Sequence, residues 1–179
     1  MILTHQDIDH IGGLSALKAQ NPNLKIWAHT LEKPYVQGEK KLVKISAAVM
    51  ESLKRLPEPM GKRLLHVFEN PPTAAVDNTL EDGEILPVCG GITVIHTPGH
   101  TPRHICLYLA ASKILIAGDA LTADESVLHG PVPEHAANID EAMESLKKLL
   151  PLDIERVVCY HGGVAECGAA RIQEIIEGA

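Results

Sequence analysis

Residues Thr4 to Gly13, reading THQDIDHIGG, place four potential metal ligands, His5, Asp7, Asp9 and His10, within six positions. An apolar Ile2-Leu3 pair precedes them, and a Gly-Gly pair with a helical pattern follows. The segment therefore reads as a loop leaving a strand and entering a helix. Carboxylates and imidazoles at this density repel one another or lie idle unless a cation gathers them. Burying one unpaired charge costs several kcal/mol, on the order of the whole stability margin of a domain. The loop is expected to be one wall of a metal site, and the chain must fold so as to supply the others.

At 179 residues the chain has room for one domain with a real core. Aromatics are only 3%, so that core must come from Leu, Ile, Val and Ala. The net charge of −7 argues against a nucleic-acid surface, and Lys40-Lys41 with Lys44 amounts to a solvated patch. No apolar run approaches the roughly 20 residues of a membrane span, and no basic-then-apolar leader opens the chain. A cytoplasmic location and no membrane partner are expected. Cys89, Cys106, Cys159 and Cys167 show no C-x-x-C spacing, which points to reduced, buried thiols rather than a zinc ribbon or redox pair.

Along the chain, apolar positions Ile11, Leu14 and Leu17 predict a short helix over 12–20, and LKIWA predicts a strand over 24–28. Ile45 to Leu56 carries a clear helical stripe; Pro57 to Pro72 reads as irregular, a candidate cover for a site. Strands are predicted at 74–76, 84–88, 91–96, 104–109, 113–117 and 154–160, and helices at 138–150 and 166–177. Strands in the middle with helices before and after indicate α/β layers.

Three of the predicted strands end on a further ligand. GITVIHTPGH ends at His100, KILIAGD at Asp119 and RVVCYHGG at His161, each beside glycine. Function concentrates on such ends because a rigid sheet fixes their geometry. The motifs THQDIDHIGG, HTPGHTPRHICLY, LIAGDAL and VCYHGG, in this order, resemble the metallo-β-lactamase-fold superfamily of hydrolases over residues 3 to about 165. The resemblance implies an αββα sandwich (α/β, α+β) forming a single domain over 1–179, with a two-metal site at one edge. It implies that His5, Asp7 and His100 hold the first metal, that Asp9, His10 and His161 hold the second, and that Asp119 bridges them. Two features depart from the family pattern. Asp7 stands where a second His is usual, so zinc is expected first but manganese or iron also suits the site. The strands that family members carry before the first motif are missing, so the chain reads as N-terminally truncated, with an exposed sheet edge that a homodimer would cover.

The implied activity is hydrolysis of a small-molecule ester, thioester or lactone by a metal-bound hydroxide that Asp9 orients. The alternative from another class is a truncated, catalytically silent scaffold that still binds metal; a di-iron redox role ranks last. As isolated residues, the seven ligands read as polar caps, with Asp7 or Asp9 an N-cap candidate, but that reading explains them one at a time and not as a set. His29, His96 and His104 are expected to be satisfied structural histidines, and His66 exposed. His129 and His135, in HGPVPEH, are candidates for a substrate mouth, with Arg103 and Tyr160 as further pocket candidates.

Overall fold

A computed structural model describes residues 1–178, which fall into two compact units, an N-terminal one, Met1–Thr79, and a C-terminal one that starts at Leu80. In the N-terminal unit, β1 (Ile2–Leu3) runs straight into the ligand loop. α1 (Ile8–Ile11) and α2 (Leu14–Gln20) follow, then β2 (Trp27–His29), α3 (Lys33–Val36), α4 (Ala47–Leu53), α5 (Met60–Glu69) and β3 (Asn78–Leu80). The sheet order is β1-β2-β3, with β1 parallel to β2 in the register Ile2↔Trp27 and Leu3↔Ala28. Leu3, Ile11, Leu14, Ile26, Ala28 and Val36 pack as its aliphatic core. Each large aliphatic side chain among them, fully buried, contributes about 1.5–3 kcal/mol.

Several expectations for this unit are corrected. The predicted 12–20 helix forms as α2 but starts two residues later, at Leu14, and the ligand loop adds a short helix of its own, α1, before it. No strand forms at 74–76, because the backbone there bonds elsewhere: Ala74 N–H donates to Val36 O and Val76 N–H to Gln37 Oε1. The strand comes later, at β3, after Asp77 has clamped Ile26: Ile26 N–H donates to Asp77 Oδ2, and Asp77 N–H donates to Ile26 O. The helix predicted over 45–56 starts at Ala47, because the Ser46 hydroxyl caps it by accepting from Val49 N–H. The stretch read as irregular contains α5. Its prolines mark a helix start, with Pro59 at the N-cap, and Leu64 and Phe68 share one face at i, i+4.

The C-terminal unit is built on a six-stranded sheet of order β11-β10-β7-β6-β5-β4. Its strands are β4 (Ile85–Leu86), β5 (Ile92–His96), β6 (Ile105–Leu109), β7 (Ile114–Gly118), β10 (Arg156–Cys159) and β11 (Gly163–Ala165). β4 to β7 form an antiparallel meander; β10 then joins β7 in parallel. Such a parallel return needs a crossover, and α6 (Ile139–Leu146) supplies it, continued by a 3-10 turn at Lys147–Leu149. Asn138 caps α6 by accepting from Glu141 N–H, and Asp140 and Glu141 suit its positive end. α7 (Ala169–Glu177) closes the unit, and Leu146, Leu149 and Ile172 pack with Ile95, Leu115 and Val157 of the sheet.

Two hairpins here carry no clear sequence signal. β8 (Thr122–Asp124) and β9 (Val127–His129) are joined by Glu125 and Ser126, both at positive φ (45° and 67°). That turn normally announces itself as Asn-Gly or Asp-Gly. β11 is only three residues long and pairs back on β10. Among the described residues, no helix is long and apolar enough to cross a membrane.

Candidate metal centre

The loop after β1 gathers its ligands within the N-terminal unit. His5 is buried, and its Nδ1 is held by the Thr4 hydroxyl at 3.0 Å, which turns Nε2 toward Asp7 Oδ2 at 3.6 Å. Asp7 occupies the N-cap position of α1, but its carboxylate makes no capping bond. Lys44 Nζ lies 2.5 Å from Asp7 Oδ2 instead. The helical turn of α1 then sets His10 Nε2 3.3 Å from Asp9 Oδ2 and brings the His5 and His10 rings to 4.1 Å. Gln6, fully buried, organises this wall. Its Nε2 donates to Glu32 Oε2 at 2.9 Å, and its Oε1 accepts from Val43 N–H at 2.8 Å, which places Lys44 beside the loop. Gln6 does not stand out in the sequence, and Lys44, expected in a solvated patch, instead bonds Asp7, because nothing local tells that 43–44 return to the loop.

In the C-terminal unit the strand ends do the gathering. His100 Nε2 and His161 Nε2 both reach the same oxygen, Asp119 Oδ2, at 3.2 and 3.3 Å. Asp119 and His100 are buried, while His161 is 54% exposed. These three with Thr122, Val132 and His135 line a cavity of about 160 Å³. The turn that aims His100 needs glycine: at Gly99, with φ +132°, a Cβ would meet the Ala142 backbone at 2.2 Å. The same holds after His161, where a Cβ on Gly162 (φ +90°) would sit 1.6 Å from Ala123 O. Ala123 N–H also donates to His161 O, so β8 fixes that loop.

His104 acts behind this wall. Its Nε2 accepts the Asp119 backbone N–H at 3.1 Å, so its proton sits on Nδ1 and is donated to Thr97 Oγ1 at 2.8 Å. The Thr97 hydroxyl lies 3.3 Å from Cys106 Sγ, whose S–H donates to Ala117 O. Burial pushes the Cys106 thiol up to about 12 against the hydrogen bond from Thr97. Cys159, two residues before His161, is likewise raised to about 12, by burial first and then by Cys106, Cys167 and Asp119. Both stay thiols at neutral pH and supply no thiolate nucleophile.

The other candidates fall as follows. His135 lines the cavity beside His161; His129 lies exposed on β9, and neither it, Arg103 nor Tyr160 is among the lining residues. His96 bonds Pro102 O within its turn, as expected, at 3.3 Å, and His29 Nδ1 accepts from Leu31 N–H. His66 is exposed. Among the described residues all four cysteines are free thiols, Cys89 being the exposed one.

Each of the seven ligand candidates offers one imidazole nitrogen or carboxylate oxygen. Such an N/O set is what a first-row divalent metal takes. Two imidazoles aimed at one buried carboxylate oxygen fit that use, since a cation removes the cost of burying the carboxylate. Comparison with known proteins decides the family: the metallo-beta-lactamase superfamily matches residues 1–161. The chain belongs to that superfamily. Among its relatives is the probable metallo-hydrolase YflN of Bacillus subtilis, 30% identical over 173 residues, covering 90% of this chain and 63% of that protein. The chain thus spans just under two thirds of that relative's length. The crystal structure of a metallo-beta-lactamase family protein from Thermus thermophilus superposes with a TM-score of 0.67 at 25% identity, over 99% of this chain and 59% of that one. Another solved structure, of a protein in a di-iron-bound form, gives 0.63 at 25% identity, over 97% of this chain and 73% of that one. The mixed α/β architecture is that of the metallo-beta-lactamase fold.

Proposed function

We propose that this chain is a metal-dependent hydrolase of small-molecule esters, thioesters or lactones. The single observation that carries the reading is the convergence of His100 and His161 on one oxygen of buried Asp119, in a chain of the metallo-beta-lactamase superfamily. His5, Asp7 and His100 would hold one divalent metal, Asp9, His10 and His161 a second, and Asp119 both. We take the two compact units as parts of one domain, since a single family match runs through both. Zinc heads the candidates, with iron supported by the di-iron neighbour and by the carboxylate at Asp7. When bound, such metals lower the pKa of a water and polarise the scissile carbonyl.

The chain's own residues do the rest. Thr4 and Asp119's partner His104 hold ligands in one orientation, as outer-shell groups of metal sites do. Asp9, 59% exposed, is the carboxylate that would orient the nucleophile. Lys44 holds Asp7 in place. A cytoplasmic location and a homodimer complete the proposal.

Metal analysis after purification without chelator, combined with a panel of ester, thioester and lactone substrates, tests it. Two equivalents of metal and turnover abolished by His100→Ala are expected. Less than one equivalent would sink the reading, and full metal uptake with no turnover on any substrate would leave a silent scaffold.

A further inference from the structure

The N-terminal unit holds a second cavity, of about 350 Å³, whose apolar wall is Ile8, Leu42, Ile45, Leu64 and Phe68. The helix α5 supplies the last two on one face, and Ile8 comes from α1, one residue from Asp7 and one from Asp9. Those two carboxylates and Lys44 are the remaining lining residues. An apolar recess therefore opens directly onto side chains assigned above to the metals. Its size is at the small end of ligand pockets, which run from about 300 to 1,000 Å³.

The apolar wall narrows the occupant: five of the eight lining residues are hydrocarbon side chains. A carboxylate- or phosphate-bearing group seated against them would lose its hydration with no polar partner on that wall. A neutral hydrocarbon group gains from every methylene it buries. We infer that this cavity receives the acyl portion of the substrate, a neutral, medium-length aliphatic chain, while the ester or thioester carbonyl lies toward Asp7 and Asp9. The assignment rests on the hydrolase reading above and gives it a substrate class.

A chain-length ladder tests it, using para-nitrophenyl acetate, butyrate, hexanoate, octanoate and decanoate with the metal-loaded protein. In parallel, binding of methyl ketones of matching chain length is followed by calorimetry, which needs no hydrolysis. Expected is a rise in kcat/KM of about fourfold per methylene to an optimum near hexanoate or octanoate, mirrored in ketone binding. The half ester of adipic acid should fall at least tenfold below hexanoate. Leu64→Trp, which fills the cavity from a half-buried position, should move the optimum to shorter chains with metal content unchanged. A flat ladder in both turnover and binding overturns the inference, as does an optimum unmoved by Leu64→Trp or an adipate half ester equal to hexanoate. Ketone binding that rises with chain length while no ester is turned over would keep the cavity assignment and sink the hydrolase reading instead.

Discussion

In the C-terminal unit, Asp119 is buried, its backbone N–H is fastened to His104, and the residues beside its two histidine neighbours are glycines pressed against α6 and β8. In the N-terminal unit, Asp9 leaves 59% of its side chain exposed, and Asp7 is held by the flexible ammonium of Lys44. In one unit the ligands sit on strand ends and glycine turns packed against neighbouring backbone, whereas in the other Asp7 is held mainly by a lysine side chain. The difference is one of preorganisation: a strand end cannot drift without breaking its ladder, whereas a lysine contact can open at small cost. Under the proposed function, the buried Asp119 is suited to holding metal and the open Asp9 to meeting substrate and water.

The sharpest way to break this contrast is to remove one carboxylate from each wall. Asp119→Ala should lower metal affinity by more than the roughly 10–100-fold that losing an outer-shell partner costs, leaving a protein that retains no metal through gel filtration. Asp9→Ala should retain at least one equivalent by elemental analysis yet lose turnover. Equal metal retention in the two variants would erase the proposed division.

A second comparison uses glycine. Gly162→Ala forces a Cβ onto Ala123 O at a positive φ, and should destabilise the fold by about 3 kcal/mol or more in urea titration. Gly13→Ala, at φ −87° and with the nearest side-chain atom 3.9 Å from the new Cβ, should change stability by less than about 1 kcal/mol. Similar losses at both positions would show the N-terminal wall to be as rigidly seated as the other.

The smallest effect concerns acid. Asp77 in the N-terminal unit is held near 2, below its ordinary 3.8, by the side-chain bond from Lys25, then by Ile26 N–H and Lys18. Asp82 in the C-terminal unit is lowered too; partial burial opposes this, but His96 N–H and Lys148 outweigh it. A depressed folded pKa means stability that is fully present above the unfolded value and lost as pH falls through the folded one. Between about pH 4 and 2, thermal melts should therefore show a falling Tm, and Asp77→Asn should flatten that slope. An unchanged slope would mean that the Asp77 clamp adds nothing to the acid response.

Much of this molecule was legible from residues alone. The seven ligand candidates, the meander of aliphatic strands and the helices at either side follow from short-range patterns: alternation, helical spacing, caps and strand-end glycines. His104 is a satisfied histidine, as its place beside a strand implies, but its role behind Asp119 depends on a strand pairing that places residues fifteen apart in contact. The β8–β9 hairpin escaped because Glu125 and Ser126 carry none of the usual turn chemistry while adopting its backbone. α5 was within reach, since Pro59 followed by Leu64 and Phe68 is a helix pattern; its flanking prolines obscured it.

The sequence by itself determined which chemistry is possible here, because ligand identity and the apolar period of the strands are properties of neighbouring residues. Only the tertiary structure decided how that chemistry is supported. Gln6 seating Val43, Lys44 meeting Asp7, and Leu64 with Phe68 walling an apolar recess beside the ligand loop all join positions far apart in the chain. Such contacts are fixed by packing and by the need to satisfy buried polar groups. No local pattern of residues encodes them.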